Sequence, residues 1–324
     1  MVHAVRIHTY GGPEVLTYEA VDVAAPGPGE VRLRQRAAGL NFIDVYQRTG
    51  AYKLGALPAV LGMEGAGEVI AVGAGVTEAA VGDRVAYAMS AGGYAQERTI
   101  AAARVVKIPD AIPDETAAAM MLQGMTVRYL LRETYPVTPS TVMLFHAAAG
   151  GVGLIACQWA RAIGATLIAT VSSDEKAAMA LANGAAYAIN TTTENFVETV
   201  REITRGKGCD VVYDGVGKDT FPGSLDCLRP RGLWVTFGGS SGPVPPVDVG
   251  VLSAKGSLFM TRPTLATYIA KRDDLVANAS ELFAMVTSGQ IKIAVNQRYP
   301  LSAAADAHRA LEARKTTGST VLTM

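Results

Sequence analysis

The hydrophobic positions change their spacing near residue 126. Up to about residue 125 they alternate with polar ones in short runs bounded by glycine. Val31-Arg-Leu-Arg34, Gly65-Ala-Gly-Glu-Val-Ile-Ala-Val-Gly73 and Asp83-Arg-Val-Ala-Tyr87 are such runs. Alternation of that kind predicts half-buried strands, as in a small barrel-like domain. Pro109 and Pro113 then punctuate the chain, and Asp114 is placed to cap a helix carrying Ala117-Ala-Ala-Met-Met121.

From about residue 126 strand and helix spacings take turns. The pattern predicts strand 141–146, helix 152–163, strand 166–171, helix 174–183, strand 187–189, helix 195–204, and strands 210–213 and 232–237. Lys255-Gly-Ser-Leu-Phe-Met260 supplies a candidate last strand, and Pro243-Val-Pro-Pro246 reads as a loop. Strands alternating with helices of this length make βαβ units and a parallel, doubly wound sheet. Helices near 273–288 and 302–314 and a strand at 319–323 break the alternation, so the tail can return to the first domain. The expected fold is α/β: a doubly wound parallel sheet over 126–264, and a mostly β domain over 1–125 to which 265–324 returns.

Composition narrows the function classes. The 324 residues are 49% apolar and 18% charged, ample for a globular core. Lys+Arg and Asp+Glu are both 29, and no run of like charge stands out. That balance argues against a primary nucleic-acid or anionic-membrane role, which needs a concentrated basic footprint. Met1-Val-His-Ala-Val-Arg6 is not a signal peptide, and no apolar segment is long enough to span a bilayer. Cys157, Cys209 and Cys227 are an odd, widely spaced set, expected to be buried reduced thiols of a cytoplasmic protein.

The stretch that carries chemistry is Ala147-Ala-Ala-Gly150-Gly151-Val152-Gly153, between the strand Thr141–Phe145 and the helical run Leu154–Ile163. Strand, glycine turn, helix is the context in which a dinucleotide motif is informative. The small residues let the backbone approach a pyrophosphate, whose charge sits on free N–H groups at the helix N-terminus. The second strand ends Val171-Ser172-Ser173 without the acid that would bond a ribose 2′-hydroxyl and repel a 2′-phosphate. Ser172, Ser173 and Lys176, one turn into the next helix, suit a phosphate, which favours NADPH. Asp174 and Glu175 read as first-turn acids at the positive end of the helix dipole.

These residues, with Gln158 and Arg161, resemble the signature of the zinc-free NADPH:quinone oxidoreductase (ζ-crystallin-like) branch of the medium-chain dehydrogenase/reductases. The resemblance runs over essentially the whole chain. It includes Gly39-Leu-Asn-Phe-Ile-Asp44, Leu61-Gly-Met-Glu-Gly-Ala-Gly67, Val211-Val-Tyr-Asp-Gly-Val-Gly217, Phe237-Gly-Gly-Ser-Ser-Gly242 and Thr261-Arg-Pro263. It implies a GroES-like catalytic domain from both chain ends, a Rossmann domain between them, an active site in the cleft, and a homodimer joined through the Rossmann sheet edge. It places Asn41, Tyr46 and Tyr52 at the nicotinamide side with Thr126 nearby, and Gly150, Gly151 and Val152 at the pyrophosphate. It places Ser172 and Lys176 at the 2′-phosphate, and Phe237, Gly238, Ser240, Ser241 and Arg262 around the cleft, with Arg314 reaching the cofactor. Thr141, Thr191 and Gly239 depart from the pattern, where an acid or amide, a Tyr and an Asn are commoner.

Zinc-dependent relatives hold a catalytic Zn²⁺ with an early Cys, the His of a Gly-His-Glu triplet and a later Cys. Here those first two positions are Asn41 and Met63, and no cysteine precedes residue 157. His3, His8, His146 and His308 are too scattered for a ligand set. The expectation is a zinc-free enzyme. Without a Lewis acid the natural substrate is already electron-poor: a quinone, which accepts hydride directly and needs orientation, a hydrogen bond to the developing oxyanion and a proton source. Asn41 is a candidate donor to that oxyanion or to the nicotinamide ribose. Tyr46 and Tyr52 either donate or only wall the cofactor. The same-class alternative is a 2-enone or enoyl reductase; the alternative of another class is a crystallin-like or RNA-binding protein.

Overall fold

In the computed structural model, which describes residues 2–324, the first strands are β1 (Val2–Ile7), β2 (Thr17–Val21) and β3 (Glu30–Leu40). Helix α1 (Phe42–Thr49) and strands β4 (Ala59–Val60), β5 (Glu64–Val72), β6 (Arg84–Ala88), β7 (Glu97–Ala101) and β8 (Val106–Lys107) follow. Helix α2 covers Asp114–Tyr129. Then come β9 (Val142–Phe145), α3 (Gly151–Ile163), β10 (Thr166–Val171), α4 (Asp174–Ala182), β11 (Tyr187–Asn190), α5 (Phe196–Ile203), β12 (Cys209–Asp214), α6 (Gly223–Asp226), β13 (Leu228–Thr236), α7 (Gly250–Ala254) and β14 (Phe259–Thr261). The tail holds α8 (Leu265–Tyr268), α9 (Arg272–Thr287), β15 (Val295–Pro300), α10 (Ala304–Glu312) and β16 (Ser319–Thr323).

The chain divides into two units. One takes residues up to Met125 with Tyr268–Ser288 and Ile293–Met324; the other takes Thr126–Thr267 with Gly289–Lys292. In the first, a seven-stranded sheet runs β15-β16-β3-β5-β6-β8 with β7 also on β3, and a separate sheet runs β2-β1-β4. β3 opposes β5 antiparallel, with Gly39 across from Glu64. Its alternating side chains Val31 and Leu33 pack with Val69, Val85, Tyr87 and Ile100 in a buried cluster, as expected of a sheet with one face on a core. In the second unit six parallel strands run β11-β10-β9-β12-β13-β14. That is the doubly wound order, with β9 at the reversal between β10 and β12. Leu144, Ile168, Val212 and Trp234 from four neighbouring strands fill the core beside it.

Two expectations shift in detail. Asp114 is the first residue of α2 rather than its cap, and its carboxylate turns instead to Arg84 Nε at 2.9 Å. The helix expected at 302–314 begins as a 3-10 turn, Leu301–Ala303, and is α-helical only over Ala304–Glu312. Cys157, Cys209 and Cys227 are buried free thiols. None of the helices is long and apolar enough to cross a membrane among the described residues.

Candidate functional site

In the second unit, β9 ends at Phe145 and the chain turns through Ala147, which takes a left-handed φ of 54°. Gly150 is the N-cap of α3; no side chain caps this helix and no acid lies in its first turn. The helix therefore starts with unneutralised N–H dipoles. A Cβ on Gly153 would overlap the backbone of Ala148, so only glycine lets α3 sit this close to the turn. A Cβ on Gly150 would find only Ala147 O, at 3.4 Å, so the fold itself leaves room there. This cradle, with Gly151 and Val152 opening the helix, fits a dinucleotide pyrophosphate.

Beyond β10, Ser173 caps α4 by accepting the Lys176 N–H (3.3 Å), and Lys176 Nζ lies 3.3 Å from Ser172 Oγ. Asp174 points away, accepting Asn190 Nδ2 at 2.8 Å. The Glu175 carboxyl is held below its usual range by a hydrogen bond to Ser173. The polar groups at the end of this strand thus suit a phosphate.

A buried cluster braces the loops around the cradle. His146 Nδ1 lies 2.8 Å from Thr170 Oγ1, and Nε2 lies 3.1 Å from Ser224 Oγ. Ser224 donates to Asp214 Oδ2 (2.9 Å), and Asp214 Oδ1 accepts the N–H groups of Val216 and Gly217, both at 2.9 Å. Because the serine hydrogen goes to Asp214, this Ser, His and Asp set is a scaffold and not a nucleophile triad. Burial lowers the His146 pKa, opposed by the Asp214 charge. The loop after β13 is fastened to the same place. The Phe237 ring packs tilted against Phe145 with centroids 5.8 Å apart, and a Cβ on Gly238 would lie 2.6 Å from Gly215 O. Ser240 N–H donates to Gly215 O (3.2 Å) and Ser241 Oγ donates to Val216 O (2.8 Å). Arg262 Nη1 donates to Gly238 O at 2.9 Å and to Thr236 O at 3.1 Å. Thr126 is buried at the end of α2 that belongs to this unit.

In the first unit, Asn41 precedes α1 and Tyr46 lies on it; the Tyr46 and Tyr52 rings meet at 5.2 Å, joined by Tyr52 N–H to Tyr46 O (2.9 Å). Tyr52 is 45% exposed, whereas Asn41 is buried. The Asn41 amide is largely committed: Nδ2 donates to Glu64 Oε1 (2.6 Å) and Oδ1 accepts from Gln123 Nε2 (3.2 Å). One Nδ2 hydrogen is left for chemistry. Arg314 follows α10 in the same unit at a left-handed φ of 57°.

Sequence reading missed the polar core behind α1. Asp44 Oδ2 accepts the Asn41 N–H and the Tyr94 hydroxyl, both at 2.9 Å. Tyr94 Oη lies 3.2 Å from His308 Nε2, and His308 Nδ1 lies 3.0 Å from Arg48 Nη1. Arg48 can only donate, so His308 Nδ1 accepts, Nε2–H donates to Tyr94, and Tyr94 donates to Asp44. Arg48 also meets Glu312 in a bidentate pair at 2.9 and 2.8 Å. Burial pushes Asp44 up to about 7 and Glu64 up to about 8, and pushes His308 down to about 3 with the Arg48 charge adding to it. Gln47 Nε2 lies 3.2 Å from Met63 Sδ. Among the described residues no group of three or more His, Cys, Asp or Glu could hold a metal ion.

Comparison with known proteins agrees with this geometry. Residues 27–110 match the alcohol dehydrogenase GroES-like domain, and residues 151–284 match the zinc-binding dehydrogenase family. A quinone oxidoreductase of Pseudomonas aeruginosa is 55% identical over 99% of both chains. A 2-haloacrylate reductase of a Burkholderia species is 46% identical over 99% of both. The crystal structure of Escherichia coli quinone oxidoreductase complexed with NADPH superposes with a TM-score of 0.98 at 49% identity, covering 99% of this chain and 100% of that one. With the glycine cradle, the doubly wound sheet and relatives matching end to end, the chain belongs to the medium-chain dehydrogenase/reductases, in their quinone oxidoreductase family.

Proposed function

We propose that this protein reduces quinones with NADPH and without zinc. The carrying observation is the end of β10, where Lys176 Nζ and Ser172 Oγ converge at 3.3 Å and serines stand in place of the acid that would bond a ribose 2′-hydroxyl. The Escherichia coli quinone oxidoreductase structure, one of those this chain matches at a TM-score of 0.98, is complexed with that nucleotide.

Gly150, Gly151 and Val152 bind the pyrophosphate through the uncapped start of α3. Phe237, Gly238, Ser240, Ser241 and Arg262 shape the cofactor site with Thr126, and Arg314 reaches the cofactor. When bound, NADPH supplies the hydride. Asn41 offers its remaining Nδ2 hydrogen to the developing oxyanion or to the nicotinamide ribose, and Tyr46 and Tyr52 orient the ring and the substrate. A quinone needs no metal electrophile, and Asn41 and Met63 stand where the zinc relatives carry Cys and His. The catalytic domain is residues 1–125 with 265–324, and the nucleotide domain is 126–264. The active form is a cytoplasmic homodimer joined through edge strand β14, whose Phe259 and Met260 are 60% and 42% exposed; the buried free thiols suit a reducing compartment.

The test is steady-state turnover of NADPH with 1,4-benzoquinone and 9,10-phenanthrenequinone after metal removal by a chelator, with sedimentation of the same sample. Expected are quinone turnover that survives chelation and a dimer. Turnover of an enone but of no quinone would replace the assignment by enone reduction, the reading that the 2-haloacrylate reductase relative favours. A monomer would remove the β14 interface.

A further inference from the structure

The buried side of Asn41 is a chain of four side chains whose hydrogens all point one way. Glu64 Oε2 accepts the Leu122 N–H at 2.7 Å, and Oε1 accepts Asn41 Nδ2 at 2.6 Å. Both partners offer hydrogens, which is the bonding pattern of a carboxylate rather than an acid. Asn41 Oδ1 then accepts from Gln123 Nε2 (3.2 Å), and Gln123 Oε1 accepts from the Ser319 hydroxyl (2.7 Å). Space for the carboxylate is made by Gly39, across the β3–β5 ladder, where a Cβ would overlap Glu64. All four side chains of the chain are buried, so no bulk water competes for these bonds.

We propose that Glu64 is a positioning residue for the reaction: its carboxylate holds the Asn41 amide with Nδ2 as donor, and uptake of one proton by Glu64 reverses the direction of the chain through Asn41, Gln123 and Ser319. This rests on the assignment of Asn41 to the reacting end of the cofactor site. The proton, taken from solvent, goes to Oε1, whose partner Asn41 is an amide that can turn to accept it, whereas the Leu122 N–H at Oε2 can only donate. An Oε1–H has to donate to Asn41, so Oδ1 replaces Nδ2 at that contact. Nδ2 then turns to Gln123, whose Oε1 turns to accept it, and Gln123 Nε2 meets Ser319 Oγ, which accepts. The only covalent bond formed is the O–H of Glu64. The reversal swaps donor for acceptor on the amide that serves the oxyanion.

The groups facing Glu64 are Asp44 of α1, Tyr87 of β6 and Tyr94 beyond β6. Both phenols are raised by burial and stay neutral, so Asp44 is the one neighbour whose charge adds to burial in lifting Glu64 to about 8. The reversal therefore belongs between pH 7 and 9.

The test reads Asn41 directly. With ¹⁵N-labelled asparagine, the Asn41 side-chain resonances, assigned by their loss in Asn41→Ala, are expected to shift along one titration centred near pH 8 in the cofactor-free wild-type protein. In Glu64→Gln the new amide accepts from Leu122 and donates to Asn41 permanently, so the signals should sit at the acid-limit position at every pH. The wild-type kcat with NADPH and 9,10-phenanthrenequinone should rise about tenfold from pH 6.5 to 9, the worth of one hydrogen bond. Glu64→Gln should stay on the low plateau with its KM for NADPH unchanged. Asn41 signals that hold still between pH 6 and 10 overturn the proposal, and this reading needs no substrate and no variant at Glu64. A titrating amide beside a flat wild-type kcat overturns the positioning role. Absence of any quinone turnover would instead defeat the assignment of function and leave the amide titration to stand by itself.

Discussion

Lys176 shows how much function one side chain can hold at the surface of a strand end. Its ammonium is 3.3 Å from Ser172 Oγ, and the neighbouring acid Asp174 is tied up by Asn190. Lys176→Ala is expected to weaken NADPH binding roughly 10- to 100-fold, the value of a charge-assisted hydrogen bond, and NADH binding less than about twofold. Fluorescence titration with both nucleotides checks it; equal losses would make Lys176 an ordinary solvated helix residue. This position was legible in the sequence because its partners, Ser172 and Ser173, are close neighbours in the chain. The residues around Asn41 were not. Arg48 and His308 are 260 positions apart, and Gln123 and Ser319 are 196 apart. Nothing local in the sequence distinguishes a buried Asp44 or His308 from an exposed one; they meet because the tail returns to the first unit, with β16 beside β3 and His308 and Glu312 of α10 on Arg48 of α1.

At the scale of elements, α3 and its turn separate packing from ligand binding. Gly153 faces the backbone of Ala148 with no room for a methyl group, whereas Gly150 has a φ of −78° and a Cβ there would meet only Ala147 O, at 3.4 Å. Gly153→Ala is expected to destabilise the protein by about 1–3 kcal/mol through overpacking. Gly150→Val should keep the thermal midpoint nearly unchanged and abolish NADPH binding, because the branched side chain fills the pyrophosphate's place. Calorimetry and nucleotide titration of the two variants separate these outcomes; a Gly150→Val protein that binds NADPH normally would refute the placement of the cofactor. Elements with a clean period were readable in advance, and α3, β10 and β16 lie where their spacing put them. Alternation marks β3 only over Val31–Arg34, although the strand runs to Leu40. Its second half, Ala37 to Leu40, is buried at every position, so alternation vanishes there. Helix α1 gave no signal because its buried residues include Asp44, Gln47 and Arg48. At eight residues, with these polar groups among its buried positions, the helix is too short for Phe42, Val45 and Tyr46 to stand out as a helical period.

For the whole molecule, equal numbers of acidic and basic residues mean that no net repulsion sets the pH dependence of stability. A few buried groups set it instead. Asp44 and Glu64 titrate at about 7 and about 8 in the native chain, against 3.8 and 4.5 as ordinary values, because burial disfavours their charge. Between those limits the native state keeps protons that the unfolded chain has released. The stability tied to them is whole below the unfolded values and is lost as pH rises through the native ones. His308 acts in the opposite sense. Burial lowers it from 6.5 to about 3, so its contribution is whole above 6.5 and is lost as pH falls toward 3. His146, also lowered by burial, adds to that acid-side loss. From about pH 4.5 to 6.5 the carboxyl and imidazole trends oppose each other, and above 6.5 the carboxyls act alone, each at no more than roughly 1.4 kcal/mol per pH unit. The expected thermal midpoint is therefore nearly level from pH 5 to 6.5 and falls from pH 6.5 to 8.5. Glu64→Gln removes the larger of the two slopes, because Glu64 keeps its native proton up to about 8 and Asp44 only up to about 7, so its midpoint should fall about a third as steeply over the same interval. A wild-type midpoint that climbs between pH 6.5 and 8.5, or a Glu64→Gln curve parallel to it, would show that these carboxylates are not held uncharged by burial.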